Sequence, residues 1–127
     1  MDYQNLTDKA IKASENSYSP YSKFAVGACV LACSGKTYSG CNFENSSFGL
    51  TICAERNAIG SAIVAGEKKL KAVAIYSPNA EYCFPCGACR QVLNEFKDSD
   101  GLDVVLSGKD GIKVYKLEQL LPEGFNL

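Results

Sequence analysis

The sequence predicts an α/β protein in which helices cover both faces of a mixed, roughly five-stranded sheet. Apolar residues recur at helical spacing in four segments, and apolar runs of strand length lie between these segments. Short turns that contain glycine join two pairs of the runs into hairpins. Strands that alternate with helices and hairpins indicate a three-layer α/β/α sandwich. We expect residues 1–127 to form a single domain, because a chain of 127 residues provides one core but not two.

The amino-terminal part predicts a helix and then a hairpin. Apolar positions fit an amphipathic helix over residues 6 to about 18. Two strands are predicted next, over residues 24–33 and 37–43. The first of them is almost entirely apolar, which predicts a central position in the sheet with both faces covered.

The rest of the chain alternates between strands and helices. Apolar residues at helical spacing predict helices over residues 53–65, 86–96 and 117–121. Short apolar runs predict strands over residues 71–76, 103–106 and 112–115. This alternation supplies the two helical layers and the remaining strands of the sandwich.

Composition and charge narrow the classes of function. The chain contains no histidine, which excludes hydrolases built on Ser-His or Cys-His pairs, two-histidine metalloproteases and facial-triad iron enzymes. The formal net charge is -1, so we expect no nucleic-acid partner. Residues 1–6 have no basic segment followed by an apolar one, and no apolar run is long enough to span a bilayer. We therefore expect a cytoplasmic protein with no leader and no membrane partner.

Three of the seven cysteines predict a metal site. Cys86 and Cys89 stand three residues apart at the start of a predicted helix, so they project from the same face, as CxxC pairs do in zinc sites. Cys53 begins another predicted helix. Unpaired amides at a helix start favour the thiolate form that zinc requires. Together the three thiols predict a zinc ion with one position open to water.

Two charged residues beside Cys53 fit catalysis at such an ion. Glu55 can lean over the open position, take a proton from water and pass it to a leaving group. Three thiolates reduce the Lewis acidity of the metal, so we expect Arg56 to compensate by donating hydrogen bonds to sulfur, with Arg90 as a second candidate. An ordinary helical glutamate and solvated surface arginines are the alternatives.

The cysteine spacing leaves two other metal sites open. Cys83, Cys86 and Cys89 form a CxxCxxC run, and with Cys53 they would suit a four-thiolate structural zinc site or an iron–sulfur cluster. The fourth nearby cysteine followed by proline that bacterial clusters use is missing, and Phe84-Pro85 separates Cys83 from the helix. The cysteines that we expect to remain free thiols are Cys29, Cys33, Cys41 and Cys83.

Five segments together resemble the small, homotetrameric, zinc-dependent cytidine deaminases. They are residues 20–28 (PYSKFAVGA), 40–45 (GCNFEN), 53–56 (CAER), 85–91 (PCGACRQ) and 120–122 (LLP). Zinc deaminases use a three-Cys or His/Cys/Cys site with a glutamate that shuttles protons and is not a ligand. The resemblance extends over nearly the whole chain. It implies the cytidine deaminase fold, one Zn²⁺ per subunit held by Cys53, Cys86 and Cys89, Glu55 as the proton shuttle, and a homotetramer with shared active sites.

The resemblance also implies a set of substrate contacts. The implied substrate-binding residues are Phe24, Asn42, Glu44, Ala54 and Phe125. Asn42 and Glu44 match the ribose-binding pair, and an amide and a carboxylate two residues apart on one strand would face the same side and suit vicinal hydroxyls. The two phenylalanines match residues near the sugar and base, Phe125 over the base of a neighbouring active site. Core packing is the alternative for both rings. Phe48 replaces a frequent tyrosine, so we expect any hydrogen bond of that hydroxyl to be lost.

The reaction implied is hydrolytic deamination of free cytidine and 2′-deoxycytidine to uridine and 2′-deoxyuridine, with release of ammonia, in pyrimidine salvage. Two alternatives remain at this point. One is a deaminase for another aminopyrimidine nucleoside, such as blasticidin S. The other is a noncatalytic protein with a structural zinc ion.

Overall fold

A mixed five-stranded sheet forms the centre of the computed structural model, which describes residues 2–127. The strands of this part of the chain are β1 (Gly27–Ala32), β2 (Thr37–Cys41), β3 (Leu70–Tyr76), β4 (Asp103–Gly108) and β5 (Gly111–Lys116). Their order in the sheet is β2-β1-β3-β4-β5. Strands β3 and β4 are parallel, and the other neighbouring pairs are antiparallel. The mixed sheet predicted from the sequence is confirmed. Met1, the first residue of the segment 1–6 in which we expect no leader, lies outside the described residues.

Helices cover both faces of the sheet, which confirms the three layers. The α-helices of residues 2–127 are α1 (Gln4–Ser14), α2 (Ala54–Val64), α3 (Gly87–Phe96) and α4 (Leu117–Leu120). On one face, Leu6 and Ala10 of α1 pack in a cluster with Ala74 of β3. On the other face, Ala58 of α2 and Leu93 of α3 belong to the main hydrophobic core. Within residues 2–127, no helix has the length and apolar character needed to cross a membrane.

Strand β1 lies between β2 and β3, as its apolar run predicts. Glycines allow the helices to approach this part of the sheet closely. A Cβ atom at Gly27 would lie 2.0 Å from the carbonyl oxygen of Ala10, and one at Gly40 would lie 2.4 Å from the amide nitrogen of Ala58. This close approach places α1 and α2 directly against the sheet. Helix α2 begins immediately after Cys53.

The first helix and the second strand are shorter than predicted. Helix α1 ends at Ser14, because the chain then turns and the amide of Tyr18 donates a hydrogen bond to the carbonyl oxygen of Asn42 at 3.0 Å. Strand β2 ends at Cys41. Beyond it, Phe43 forms only isolated bridges, one of them to Tyr18. Asn42 and Glu44 therefore follow the strand and do not lie on it.

Strand β1 begins at Gly27, later than predicted. The amides of Ala25 and Val26 donate to side-chain oxygens, those of Asn79 and Asn42, at 2.9 Å each. These side chains replace the hydrogen bonds that a neighbouring strand would supply, so the segment before β1 leaves the sheet and Phe24 lies outside it.

Candidate metal and active site

Three cysteine thiols converge where α2 and α3 begin. Cys53 precedes α2, Cys86 precedes α3, and Cys89 lies in the first turn of α3. Their Sγ atoms all lie within 4.8 Å of one another. Cys89 is buried, Cys53 is half-buried and Cys86 is exposed, so the cluster is reached from the Cys86 side. The fold brings together the three predicted zinc ligands, and Cys83 is not part of the group.

The backbone at the start of α3 directs an amide toward the Cys86 sulfur. Cys53 and Cys86 are the N-cap residues of α2 and α3 and have extended backbone conformations. The amide of Cys89 donates to the Cys86 sulfur at 3.4 Å. Free amides and the positive end of a helix dipole stabilise a thiolate at this position. The local sequence thus prepares these thiols to bind a cation.

The guanidinium of Arg56 lies beside the cluster. Its Nη2 donates to the Cys53 sulfur at 3.2 Å. Hydrogen bonding from the Cys89 thiol and then from Arg56 lowers the pKa of Cys53 to about 5, although burial opposes the change. The Nε of Arg56 is buried and has no hydrogen-bond partner among the described residues. The hydrogen bond to the Cys53 sulfur is thus made by the outer end of the guanidinium.

The donor set fits Zn²⁺. Zinc binds cysteine sulfur and takes four ligands, so three thiols leave one position for water or substrate. Three thiolates this close would repel one another, and the hydrogen bond to Cys53 together with burial raises the pKa of Cys89. A dication between the sulfurs removes this conflict, because it favours the charged form of every ligand.

Glu55 lies in the first turn of α2 and is buried, with 5% of its surface exposed. Burial is the main reason that the pKa of its carboxyl is raised, and the charge of Cys53 adds to the effect. Glu55 follows Cys53 by two residues, so the helix start that carries this thiol also carries the carboxyl. A buried carboxyl with a raised pKa next to a metal site is suited to accept and return a proton.

Arg90 does not compensate the thiolates. Its Nε donates to the carbonyl oxygen of Pro85 at 2.7 Å, and its Nη1 donates to that of Leu120 at 2.8 Å. Both contacts are to backbone, because the side chain lies between the loop before α3 and the end of α4. Arg90 connects the segment before Cys86 to the carboxy-terminal helix.

Asn42 is buried beside the segment that precedes β1. Its Oδ1 accepts hydrogen bonds from the Ser17 hydroxyl at 2.5 Å and the Val26 amide at 2.9 Å, and its Nδ2 donates to the Phe24 carbonyl at 2.9 Å. The side chain therefore holds the backbone around Phe24. One Nδ2 hydrogen is left over, because an amide nitrogen has two.

Glu44 braces the loop before Phe24. One carboxylate oxygen accepts from the amides of Tyr21 and Ser22 at 3.0 and 3.1 Å, and the other accepts from the Ser22 hydroxyl. Hydrogen bonding from Ser22 lowers the pKa of Glu44. The second oxygen retains a free lone pair, since a carboxylate can accept about four hydrogen bonds.

The other predicted contacts divide into two groups. Ala54, which lies between Cys53 and Glu55 in the sequence, is fully buried, and Phe24 is half-buried. Phe125 is 66% exposed, and its carbonyl accepts hydrogen bonds from Gln91 at 2.9 Å and Asn94 at 3.3 Å, both of α3. Its ring therefore does not belong to the core of its own chain.

The sequence did not predict the residues whose side chains join α2, the end of β2 and the segment before β1. Asn57 of α2 donates to the Cys41 carbonyl at 2.9 Å and so joins the cysteine helix to the end of β2. Ser17 and Asn79 hold Asn42 and Ala25 through side-chain hydrogen bonds. Their signal in the sequence is slight, because Ser and Asn in turns are common in any fold.

Comparison with known proteins agrees with the fold and the thiol cluster. Residues 1–102 match the family model described as the cytidine and deoxycytidylate deaminase zinc-binding region. The chain belongs to this family of zinc-binding deaminases. Within that class, its relatives place it with the cytidine deaminases.

Two curated relatives illustrate the similarity. The cytidine deaminase of Sporosarcina psychrophila is 41% identical over 126 residues, which cover 99% of this chain and 93% of the relative. That of Halalkalibacterium halodurans is 42% identical over 126 residues, covering 98% and 95%. Similarity over nearly the full length of both chains extends beyond the metal-binding segments.

Two solved structures of cytidine deaminases have folds similar to that of this chain. The crystal structure of cytidine deaminase from Burkholderia pseudomallei is similar with a TM-score of 0.90 and 41% identity, covering 98% of this chain and 100% of that one. The cytidine deaminase from Mycobacterium tuberculosis gives a TM-score of 0.85 at 37% identity, covering 100% and 99%.

Proposed function

We propose that this protein hydrolyses cytidine and 2′-deoxycytidine to the corresponding uridines and ammonia. The observation that carries the proposal is the convergence of three cysteine sulfurs within 4.8 Å, with the buried Glu55 beside them. In the reaction the oxygen of water bonds to C4 of the pyrimidine, the C4–amine bond breaks, and the amine leaves as ammonia. Family membership supports the same reaction.

The metal ligands are Cys53, Cys86 and Cys89, one Zn²⁺ per subunit. Zinc, when bound, supplies a Lewis acid that makes water a nucleophile near neutral pH. Arg56 offsets the negative charge of the thiolates through its contact with Cys53. Without that contact the three sulfurs would donate too much negative charge for efficient activation of water.

Glu55 moves the protons. Its carboxylate accepts a proton from the attacking water and gives it to N3 of the pyrimidine. It then takes the second proton from the new C4 hydroxyl and delivers it to the departing amine, so that a C4 carbonyl and ammonia result. The raised pKa of its carboxyl favours this role, because a group that both accepts and donates works best with a pKa near the working pH. Burial also keeps bulk water away from the transferred proton.

The nucleoside sugar is bound by Asn42 and Glu44. Asn42 offers its remaining Nδ2 hydrogen and Glu44 its remaining lone pair, a donor and an acceptor suited to ribose hydroxyls. Phe24 lies next to them and would contact the sugar and base, while Ala54 lies between Cys53 and Glu55 and would contact the pyrimidine. The internal hydrogen bonds of both polar residues hold them in place before substrate arrives.

The protein works as a homotetramer with shared active sites. Exposed aromatic and aliphatic side chains lie around the loop of Glu44: Tyr18, Tyr21, Phe43, Phe48 and Leu50. The rings of Tyr21 and Phe48 are 5.9 Å apart, so this exposed apolar surface includes packed rings. Such a surface beside a substrate site favours burial by another copy of the chain. The exposed ring of Phe125 would then cover the base bound in a neighbouring subunit.

We also assign the protein to pyrimidine salvage in the cytoplasm. Its seven cysteines form no disulfide within residues 2–127, although several are accessible, which is typical of proteins in a reducing compartment. A free nucleoside is available to a salvage enzyme there.

An ultraviolet assay of cytidine tests the proposed function when zinc is measured on the same sample. We expect protein that holds one zinc per chain to convert cytidine to uridine with an equal amount of ammonia. Blasticidin S serves as the comparison substrate, and preferential turnover of it would assign a different nucleoside to the site. Zinc-loaded protein that converts neither compound would indicate a structural metal ion and refute the proposal.

A further inference from the structure

Cys86 is the most exposed of the three thiols and directly follows a loop. Cys89 is buried within α3 and Cys53 is half-buried, but Cys86 is exposed at the N-cap of α3. It ends the connection from β3, residues 77–86. Within this loop Tyr82 has a φ of 51°, in the left-handed region. A tyrosine adopts this conformation only where its surroundings hold it.

The β4–β5 hairpin supplies those surroundings. The amide of Tyr82 donates to the Ser107 carbonyl at 3.0 Å, and its hydroxyl donates to the Gly111 carbonyl at 3.0 Å. The ammonium of Lys113 lies 4.3 Å from the centre of the tyrosine ring. Gly108 leaves room for the ring, because a Cβ atom there would lie 2.4 Å from its Cε2. The hairpin therefore holds both the backbone and the side chain of Tyr82.

The three residues between Tyr82 and Cys86 leave little freedom. Cys83 packs against the hydrophobic core. The ring of Phe84 lies 5.2 Å from that of Tyr115 in β5, and Pro85 is buried with a φ fixed by its ring. A displacement of Tyr82 would therefore be transmitted along the chain to the Cys86 thiol.

We propose that Tyr82 is a positioning residue for the metal ligand Cys86. By holding Tyr82, the hairpin keeps the Cys86 sulfur beside the other two and slows the release of zinc. The proposal rests on the zinc site proposed above. It assigns to β4 and β5, which supply no ligand, a part in retaining the metal.

The rate at which an excess of chelator removes zinc from the holoenzyme tests this role. Tyr82→Asn removes the ring but keeps a residue that tolerates the left-handed conformation. We expect it to release zinc about tenfold faster, at the low end of the about 10- to 100-fold that partners of metal ligands contribute. Gly108→Ala should act in the same direction, because its methyl group displaces the Tyr82 ring while the sequence of the loop itself is unchanged. Tyr82→Phe loses only the hydrogen bond to Gly111 and should release zinc about two- to fivefold faster.

Two control variants separate positioning from general loss of stability. Tyr115→Phe removes a hydroxyl from β5 that has no hydrogen bond among residues 2–127, and it should release zinc at the wild-type rate. Leu6→Ala weakens the core on the α1 face, away from the cysteines, and should also release zinc at that rate while it is folded. Equal acceleration by Leu6→Ala would assign the effect to unfolding and overturn the proposal.

The Tyr82 variants and the zinc content of the wild type supply the other outcomes that test the proposal. Wild-type rates from folded Tyr82→Asn and from Tyr82→Phe would overturn it, and if Tyr82→Asn does not fold, Tyr82→Phe decides alone. Wild-type protein that binds no zinc would refute the metal site itself, a different failure that the zinc content of the starting sample reveals.

Discussion

The Nη2 atom of Arg56 lies 3.2 Å from the sulfur of Cys53 and donates a hydrogen bond to it. Cys53 is the N-cap of α2 and Arg56 lies in its first turn, so one helix start carries a proposed zinc ligand, the buried Glu55 and the cation next to the thiol. In a site without histidine every ligand is anionic, and this cation has a correspondingly large effect. The relationship predicts how the site responds when the charge is removed.

Replacing Arg56 should weaken both zinc binding and catalysis. Arg56→Gln removes the positive charge, and we expect about a 10- to 100-fold loss in zinc affinity or turnover, the range for partners of metal ligands. Arg56→Lys keeps the charge but not the planar hydrogen-bonding group, and it should recover part of the loss. Zinc competition titrations and cytidine kinetics measure the two effects. Wild-type values for Arg56→Gln would show that the contact with Cys53 has no functional effect.

Glu55→Gln should retain zinc and lose turnover. The amide has the size of the carboxyl but cannot carry a proton between water and the base, so kcat should fall about 100- to 10,000-fold. Metal analysis and circular dichroism serve as controls for the site and the fold. Near-normal kcat in this variant would assign the proton transfers to another group.

Cys83→Ala and Cys86→Ala distinguish three thiolate ligands from four. Cys83 lies outside the group of converging sulfurs, so Cys83→Ala should keep one zinc per chain, while Cys86→Ala should lose most of it. Metal analysis after dialysis measures both. Equal loss from the two variants would indicate a closed, four-thiolate site.

Much of this structure could be predicted from the sequence. The apolar run that became β1 indicated a central strand, and the spacing of Cys86 and Cys89 indicated a shared metal. Both signals arise from local periodicity and ligand geometry. The start of β1 could not be predicted, because side chains of Asn42 and Asn79 accept hydrogen bonds from backbone amides that the pattern assigned to the sheet. The contacts of Arg90 likewise depend on tertiary structure, since Leu120 is distant from it in sequence.

The tail that carries Phe125 should depend on Asn94 of α3. The Nδ2 of Asn94 donates to the Phe125 carbonyl at 3.3 Å and to the Asn126 side chain at 2.9 Å, while its Oδ1 accepts from Lys97. Asn94→Asp keeps the contact with Lys97 but loses both donors. We expect it to raise the KM for cytidine with zinc content unchanged, because the Phe125 carbonyl then keeps only the hydrogen bond from Gln91 and the tail that carries the ring is held less firmly.

A double-mutant cycle isolates this effect. Phe125→Ala alone should raise the KM about fivefold or more, since stacking on a base contributes about 1 to 3 kcal/mol. Asn94→Asp should then add little in the Phe125→Ala background, and Glu95→Ala, an exposed change on the same helix, should have no effect. Fully additive changes in KM would show that Asn94 does not act through Phe125.

Assembly is measured by light scattering at assay concentration. It should find a tetramer, and a fully active monomer would refute shared active sites.

Stability should depend on Asp103 in a pH-dependent way. Partial burial raises the pKa of Asp103, but hydrogen bonds from Lys116 and Tyr3 outweigh it, and the pKa is lowered overall. A carboxyl whose pKa is lower in the native state stabilises the fold above its unfolded pKa of about 3.9, and this contribution is lost as the pH falls through the native pKa. Asp103→Asn should therefore be less stable than wild type near neutral pH.

Urea unfolding of both proteins at about pH 7 and about pH 3 measures the change. The difference in free energy of unfolding should shrink at the lower pH, because the unfolded state then binds a proton that the native carboxyl, with its lowered pKa, binds less readily. Comparison of the two proteins at each pH cancels the effect of zinc lost in acid. An equal difference at both values would rule out the Asp103 charge as its source.

Isotopically labelled water tests the central claim of hydrolysis at a zinc site most directly. Zinc-loaded protein is incubated with cytidine in water enriched in heavy oxygen, and mass spectrometry of the uridine locates the label. We predict one labelled oxygen at C4 of each uridine, ammonia in equal amount, and almost no product from zinc-loaded Glu55→Gln. Unlabelled uridine, or zinc-loaded wild-type protein that leaves cytidine unchanged, would contradict the account.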